Sequence, residues 1–265
     1  VLVVNGFHRL SSPALLNDGR QGFDLDADLG VTEGLTAGWN GRFIAGHDFN
    51  YVSEHVAAIV SAHKYNVVSC SSHAIETGIV DVNAYDAVDL VLGLEKYAAN
   101  QTRYYKTFAP VMKNTLTRYL ANGGKLLVSG AYVGSDNAET GDTGREWLAR
   151  TLHVCWDGAA KTGCLNGISG LGVNGIGIYD TPNADHYCVQ SADKLSPAPG
   201  AFTAMLYADG SPAAVGFDGS QASDEMGYQP KPSRTFVMGF PLESITDRLT
   251  QANIMRGIMT FLMDK

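Results

Sequence analysis

One stretch constrains the fold more than any other: a helix pattern, a double glycine and a buried-strand pattern in direct succession. Phe108, Val111, Met112, Leu116, Tyr119 and Leu120 recur at helical spacing. Asn122-Gly123-Gly124 follows, and a glycine just past a helix end supplies its left-handed stop. Lys125-Leu126-Leu127-Val128-Ser129-Gly130 is then a near-continuous apolar run, as expected for a strand covered on both faces of a parallel sheet.

The same alternation extends along the chain. Val1-Leu2-Val3-Val4-Asn5-Gly6 reads as a first strand, and a long polar, Gly-rich segment runs from Ser11 to about Asn50. Ser53 is the expected N-cap of a helix whose apolar face carries His55, Val56, Ile59 and Val60. Tyr65 to Cys70 and the run ending at Leu94 give further strands, and Arg145 to Leu152 a short helix. From about residue 155 to 212 short β-like runs alternate with turns, which predicts an antiparallel β excursion. Ala213 to Phe217, Arg234 to Phe240 and a last helix bearing Ile254, Ile258, Phe261 and Leu262 return to the α/β pattern. Strands alternating with helices imply parallel pairing through crossovers. The expectation is one domain over 1–265 with a β-rich insertion at about 155–212.

Charge narrows the function classes. The formal net charge is −8 and the 19 Lys and Arg are scattered, so no basic face for nucleic acid is expected. No apolar run approaches the ~20 residues of a bilayer span. Four cysteines are too few for a disulfide framework; Cys155 and Cys164 have a spacing open to a local bridge, with free buried thiols as the alternative. No Cys-x-x-Cys pair exists, and His47-Asp48 with His55 matches no standard metal spacing. Asp24-Leu25-Asp26-Ala27-Asp28 begins like a calcium loop, but its glycine comes late, at Gly30, and the closing Glu is missing. Gly167-Ile168-Ser169-Gly170-Leu171-Gly172 lacks the strand–helix context of a phosphate loop. No metal or cofactor is expected.

Open α/β sheets bind ligands beyond the carboxyl ends of their strands. That rule selects Asn5, Phe7, His8 and Arg9 after the first strand, then Cys70, Ser71 and His73 after the second. It adds Glu95 and Lys96 after the third, and Ser129, Tyr132 and Ser135 after the fourth. Cys70 with His73 is one nucleophile–base candidate, and Glu95 with His8 an acid–base pairing. Hydrogen bonding within the loops is the simpler account of any single one of these polar residues.

The segment from Leu120 to Gly130 resembles the helix-Gly-Gly-strand step of the class I glutamine amidotransferase-like superfamily, including its trehalose-utilisation-like branch and the middle domain of some β-galactosidases. Ala213-Ala214-Val215 and Val237-Met238-Gly239-Phe240-Pro241-Leu242-Glu243 resemble the end of such domains, and Val3-Val4-Asn5-Gly6-Phe7-His8-Arg9 resembles a domain of secreted gut-bacterial proteins labelled xanthan lyase. The resemblance implies a three-layer sandwich around a mainly parallel, flavodoxin-like/amidotransferase-like sheet. It also implies a secreted or cell-surface setting, neighbouring domains in the same chain and a carbohydrate or cell-wall ligand. Catalytic members carry Cys or Ser on the turn after the Gly-Gly strand, with His and an acid nearby. Ser129-Gly130-Ala131-Tyr132 has no cysteine, and no His follows until His153. The expectation is therefore a non-catalytic or catalytically altered domain. The alternatives are a hydrolase using Ser129 or Cys70 with His8, His73 or Glu95, and a polysaccharide lyase.

Overall fold

β-branched and leucine-rich runs form the middle of the molecule. In the computed structural model, which describes residues 1–7, 14–15, 23–24, 50–97, 106–161, 163–181, 186–221 and 232–264, strands β1 (Leu2–Asn5), β4 (Val68–Ser71), β5 (Val88–Gly93) and β6 (Lys125–Gly130) lie parallel, in the order β4-β1-β5-β6. Two short strands, β2 (Ala14–Leu15) and β3 (Phe23–Asp24), pair with each other apart from this sheet. β13 (Arg234–Met238) continues the parallel run beside β6, with Val237 opposite Val128.

The sheet then changes sense. β12 (Pro212–Asp218) pairs antiparallel with β13, β11 (Ala201–Leu206) with β12, β8 (Ile168–Gly170) with β11, and β9 (Val173–Ile176) with β8, giving nine strands among the described residues. The segment expected as an excursion is thus antiparallel, but most of it extends the main sheet. Within that segment, among the described residues, only β7 (Val154–Lys161) and β10 (Ser191–Pro197) form a ladder of their own. Local alternation identifies a half-buried strand, not its partner, and this is why the single sheet was not apparent.

Successive residues send apolar side chains to opposite faces. On one face Val3, Val91, Leu127, Phe236 and Met238 pack with helices α1 (Tyr51–Val60) and α6 (Arg248–Met263). On the other, Val4, Leu90, Val128 and Val237 pack with α3 (Pro110–Ala121). α6 begins at Asp247, whose carboxylate accepts the Thr250 N–H at 2.7 Å, and buries Ile254, Met255, Ile258, Met259 and Leu262. α3 starts with Pro110 at its first position and buries Met112, Leu116, Tyr119 and Leu120, while Val111 of the expected apolar face is exposed.

Two helix boundaries differ from expectation. α1 starts at Tyr51, and Ser53 sits inside its first turn with its hydroxyl donating to the Asn50 carbonyl at 2.6 Å. Burial of Tyr51 against other aromatic rings draws the start earlier than the capping residue suggested. The helix expected over Arg145 to Leu152 is α5 (Asp142–Trp147) continued by a wider π turn over Leu148–Leu152. Two further short helices, α2 (Ser72–Glu76) and α4 (Ser135–Ala138), follow β4 and β6.

Candidate functional site at the strand carboxyl ends

The turn after β1 closes on itself. Asn5 accepts the Phe7 N–H through Oδ1 at 3.1 Å, which turns the Phe7 ring inward. That ring lies directly over Gly93, where φ is +49° and an added Cβ would stand 2.2 Å from it. Phe7 stacks on Tyr51 at 5.6 Å and meets the edge of Tyr187 at 5.4 Å. His186 lies 5.0 Å from Tyr51 and stacks on Tyr179 at the same separation. Aromatic side chains thus fill the space above β1 and β5.

Ser129 is fully buried, one residue before the end of β6, on the face that Leu127 shares with α1 and α6. Among the described residues its hydroxyl has no hydrogen-bond partner. The turn that follows, Ala131 to Gly134, is buried as well. Its outgoing N–H groups are already used: Gly134 and Ser135 donate to Asp193 Oδ2 at 2.6 and 2.9 Å, and the Trp156 indole donates to Oδ1 at 3.0 Å. Burial pushes the Asp193 carboxyl up to about 7 against the pull of these donors. Paired backbone donors beside a strand-end turn are what an oxyanion hole needs. Here an internal carboxylate occupies them.

The remaining expected site residues play local roles. Cys70 is half-buried on the sheet edge, its thiol pushed up by burial, and no hydrogen bond joins it to exposed His73. A reactive thiol needs the opposite shift. Ser71 caps α2 by accepting the Ala74 N–H at 3.3 Å. Glu95 is buried, and Lys96 Nζ sits 5.1 Å from the Tyr132 ring. Tyr132 is buried and its hydroxyl held well above the usual phenol range, chiefly by burial. His8 and Arg9, the acidic run over 24–28 beyond Asp24, and His47-Asp48 lie outside the described residues, so the His8–Glu95 pairing does too. All four cysteines are free, and Cys155, expected buried, is exposed. Gly167 to Gly172 belongs to the β8–β9 hairpin, whose tip Leu171-Gly172 has φ of +51° and +78°. Two positive φ values suit a tight hairpin turn and not a phosphate cradle.

Sequence reasoning missed the most strongly perturbed cluster. His55 of α1 is fully buried between two carboxylates, with Nδ1 2.7 Å from Asp89 Oδ2 and Nε2 3.1 Å from Glu243 Oε2. Tyr187 donates to Glu243 Oε1 at 2.8 Å. Burial opposes the imidazolium, yet Asp89 and Glu243 outweigh it and raise its pKa to about 10. The His55 and Tyr187 hydrogen bonds hold Glu243 below the usual carboxylate range despite burial. With both ring nitrogens engaged, His55 has no lone pair to serve as a general base. It ties α1 to β5 and to the turn after β13. The available signal was Asp89, a carboxylate inside an otherwise apolar strand, together with a histidine on the apolar face of a helix. Among the described residues no group of three or more His, Cys, Asp or Glu is placed to hold a metal.

No protein-family model matches the sequence, and no curated protein matches it. Among solved structures, the chain is similar to cytoplasmic protein STM3548 from Salmonella typhimurium, at 11% identity and a TM-score of 0.50, covering 98% of each chain. It also matches exo-β-1,4-mannosidase Op5Man5 from Opitutaceae bacterium strain TAV5, at 10% identity and a TM-score of 0.47. That match covers all of this chain but only 36% of the mannosidase. The N-terminal domain of mmIFT52 matches at 11% identity and a TM-score of 0.44, over 80% of this chain and 90% of that domain. The likeness to STM3548 bears on the mixed α/β fold alone.

Proposed function

We propose that the chain is a three-layer, amidotransferase-like domain whose strand-end turn has no working nucleophile, and that it recognises a carbohydrate or cell-wall ligand within a larger secreted or cell-surface bacterial protein. The layered reading is supported by two apolar cores on opposite faces of one sheet. The family reading rests on the helix-Gly-Gly-strand step from Leu120 to Gly130.

The observation that carries the non-catalytic reading is the turn after β6. Ser129 lies inside the sheet with no hydrogen-bond partner among the described residues, and the Gly134 and Ser135 N–H groups of the turn are taken by Asp193. A serine attacks a carbonyl only with a base in hydrogen-bond reach. The test pairs equilibrium binding on a panel of polysaccharides and peptidoglycan with product analysis, including glutaminase and esterase assays. Binding without turnover is expected. Turnover of any of these substrates that Ser129→Ala or Cys70→Ala abolishes would overturn the proposal.

A further inference from the structure

Acidic residues outnumber basic ones in this chain, 27 to 19, yet four cations sit over aromatic rings around one turn. Lys96 is 5.1 Å from the Tyr132 ring centroid, Lys106 5.9 Å from Tyr97, Lys113 5.0 Å from Trp147 and Arg145 5.8 Å from Trp156. These pairs are joined to the segment after β6. Lys106 Nζ donates to the Asp136 carbonyl at 3.0 Å, and the Asp136 carboxylate accepts the Tyr97 and Thr107 N–H groups at 3.1 and 2.9 Å. Trp147 packs on Phe108 at 5.0 Å, and Trp156 reaches Asp193, which holds Gly134 and Ser135. The Lys96 and Lys106 pairs thus flank the carboxyl ends of β5 and β6, and the Lys113 and Arg145 pairs continue the stripe along α3 and β7.

That surface keeps its charge. The Asp136 and Asp193 carboxylates are buried and bound internally. Exposed Glu146 is paired with Arg150 at 2.7 Å, and Glu139, Asp142 and Asp157, which follows Trp156, are the other exposed acids nearby. Among the described residues none of the four cations has a carboxylate within ion-pair reach. Burial and then the neighbouring Lys106 hold Lys113 below the usual lysine value, against the opposing pull of Asp136.

We propose that this basic–aromatic stripe binds a carboxylated polysaccharide, a chain of uronate-type sugars whose carboxylates meet Lys106, Lys113 and Arg145. The proposal rests on the carbohydrate-recognition reading and gives it a ligand class and a location. A net charge of −8 disfavours densely charged nucleic acid. Ammonium groups fixed over rings are preorganised for spaced carboxylates.

The test measures binding of the full chain to polygalacturonate, with neutral dextran, peptidoglycan and oligo(dT) as comparison probes. Lys106→Gln with Lys113→Gln is set against Lys64→Gln with Lys125→Gln, which removes equal charge at the opposite end of the parallel strands. The first pair is expected to weaken polygalacturonate binding at least tenfold and the second less than twofold, with affinity falling as salt rises. Melting curves check folding, and exposed Arg145→Gln, expected to lose about threefold, replaces the first pair if it melts early. Equal losses in both pairs, or tighter binding to oligo(dT), overturn the proposal. Polygalacturonate binding untouched by Lys106, Lys113 and Arg145, or binding of dextran or peptidoglycan alone, also overturns it but leaves the recognition reading standing. No binding to any glycan sinks both.

Discussion

His55 carries the largest electrostatic stake of any single residue described here. Removing it leaves Asp89 and Glu243 buried without their shared cation, and breaking a buried pair in this way costs about 3–5 kcal/mol. His55→Gln is therefore expected to lower stability by that order, read from the urea midpoint at pH 6. The imidazole pKa is raised from 6.5 to about 10 on folding. Its contribution is thus complete below about pH 6.5 and is lost as pH rises through 10, and the gap between wild type and variant should close over that window. Asp193 shifts in the same sense, from 3.8 to about 7, because burial disfavours its charge. The folded state binds that proton more tightly than the unfolded chain, so stability falls as pH rises from about 4 to 7. Asp193→Asn should flatten this part of the stability–pH curve; an unchanged slope would contradict the shift. At this scale the sequence was partly legible. His55 on a buried helix face and Asp89 in an apolar strand were both visible, but their partnership spans 34 residues and the link to Glu243 spans 188. Nothing local encodes such pairings.

At the scale of elements, the end of β5 is held by contact as much as by pairing. Gly93→Ala puts a Cβ into the Phe7 ring at a positive φ, whereas Gly172→Ala meets nothing within 4 Å at a similar φ. The hairpin substitution should cost about 1 kcal/mol from backbone strain alone. Gly93→Ala should cost at least about 2 kcal/mol, since overpacking adds to the same strain. Equal losses in chemical denaturation would mean that Phe7 yields without cost. Leu116→Ala in α3 should lose about 2–5 kcal/mol, against a negligible change for Leu249→Ala, which is 68% exposed at the start of α6. These elements were readable because helical periodicity and continuous apolar runs follow directly from burial. α1 was harder: its start is set by Tyr51 packing on Phe7, and Ser53 was the misleading signal.

For the whole molecule, the parallel half was legible and its union with the antiparallel half was not. β1, β5, β6 and β13 announce themselves as apolar runs, and right-handed crossovers restrict how they order. β11, β8 and β9 extend the same sheet through pairings that alternation cannot specify. The strand-end rule implies an open site, whereas aromatic rings pack together beside the end of β1. The proposed absence of nucleophilic chemistry at the turn after β6 is tested by peptide-mapping mass spectrometry after treatment with a serine-directed fluorophosphonate. No adduct is expected at Ser129, whose hydroxyl is buried and has no hydrogen-bond partner among the described residues. A stoichiometric adduct there, absent from Ser129→Ala, would contradict it.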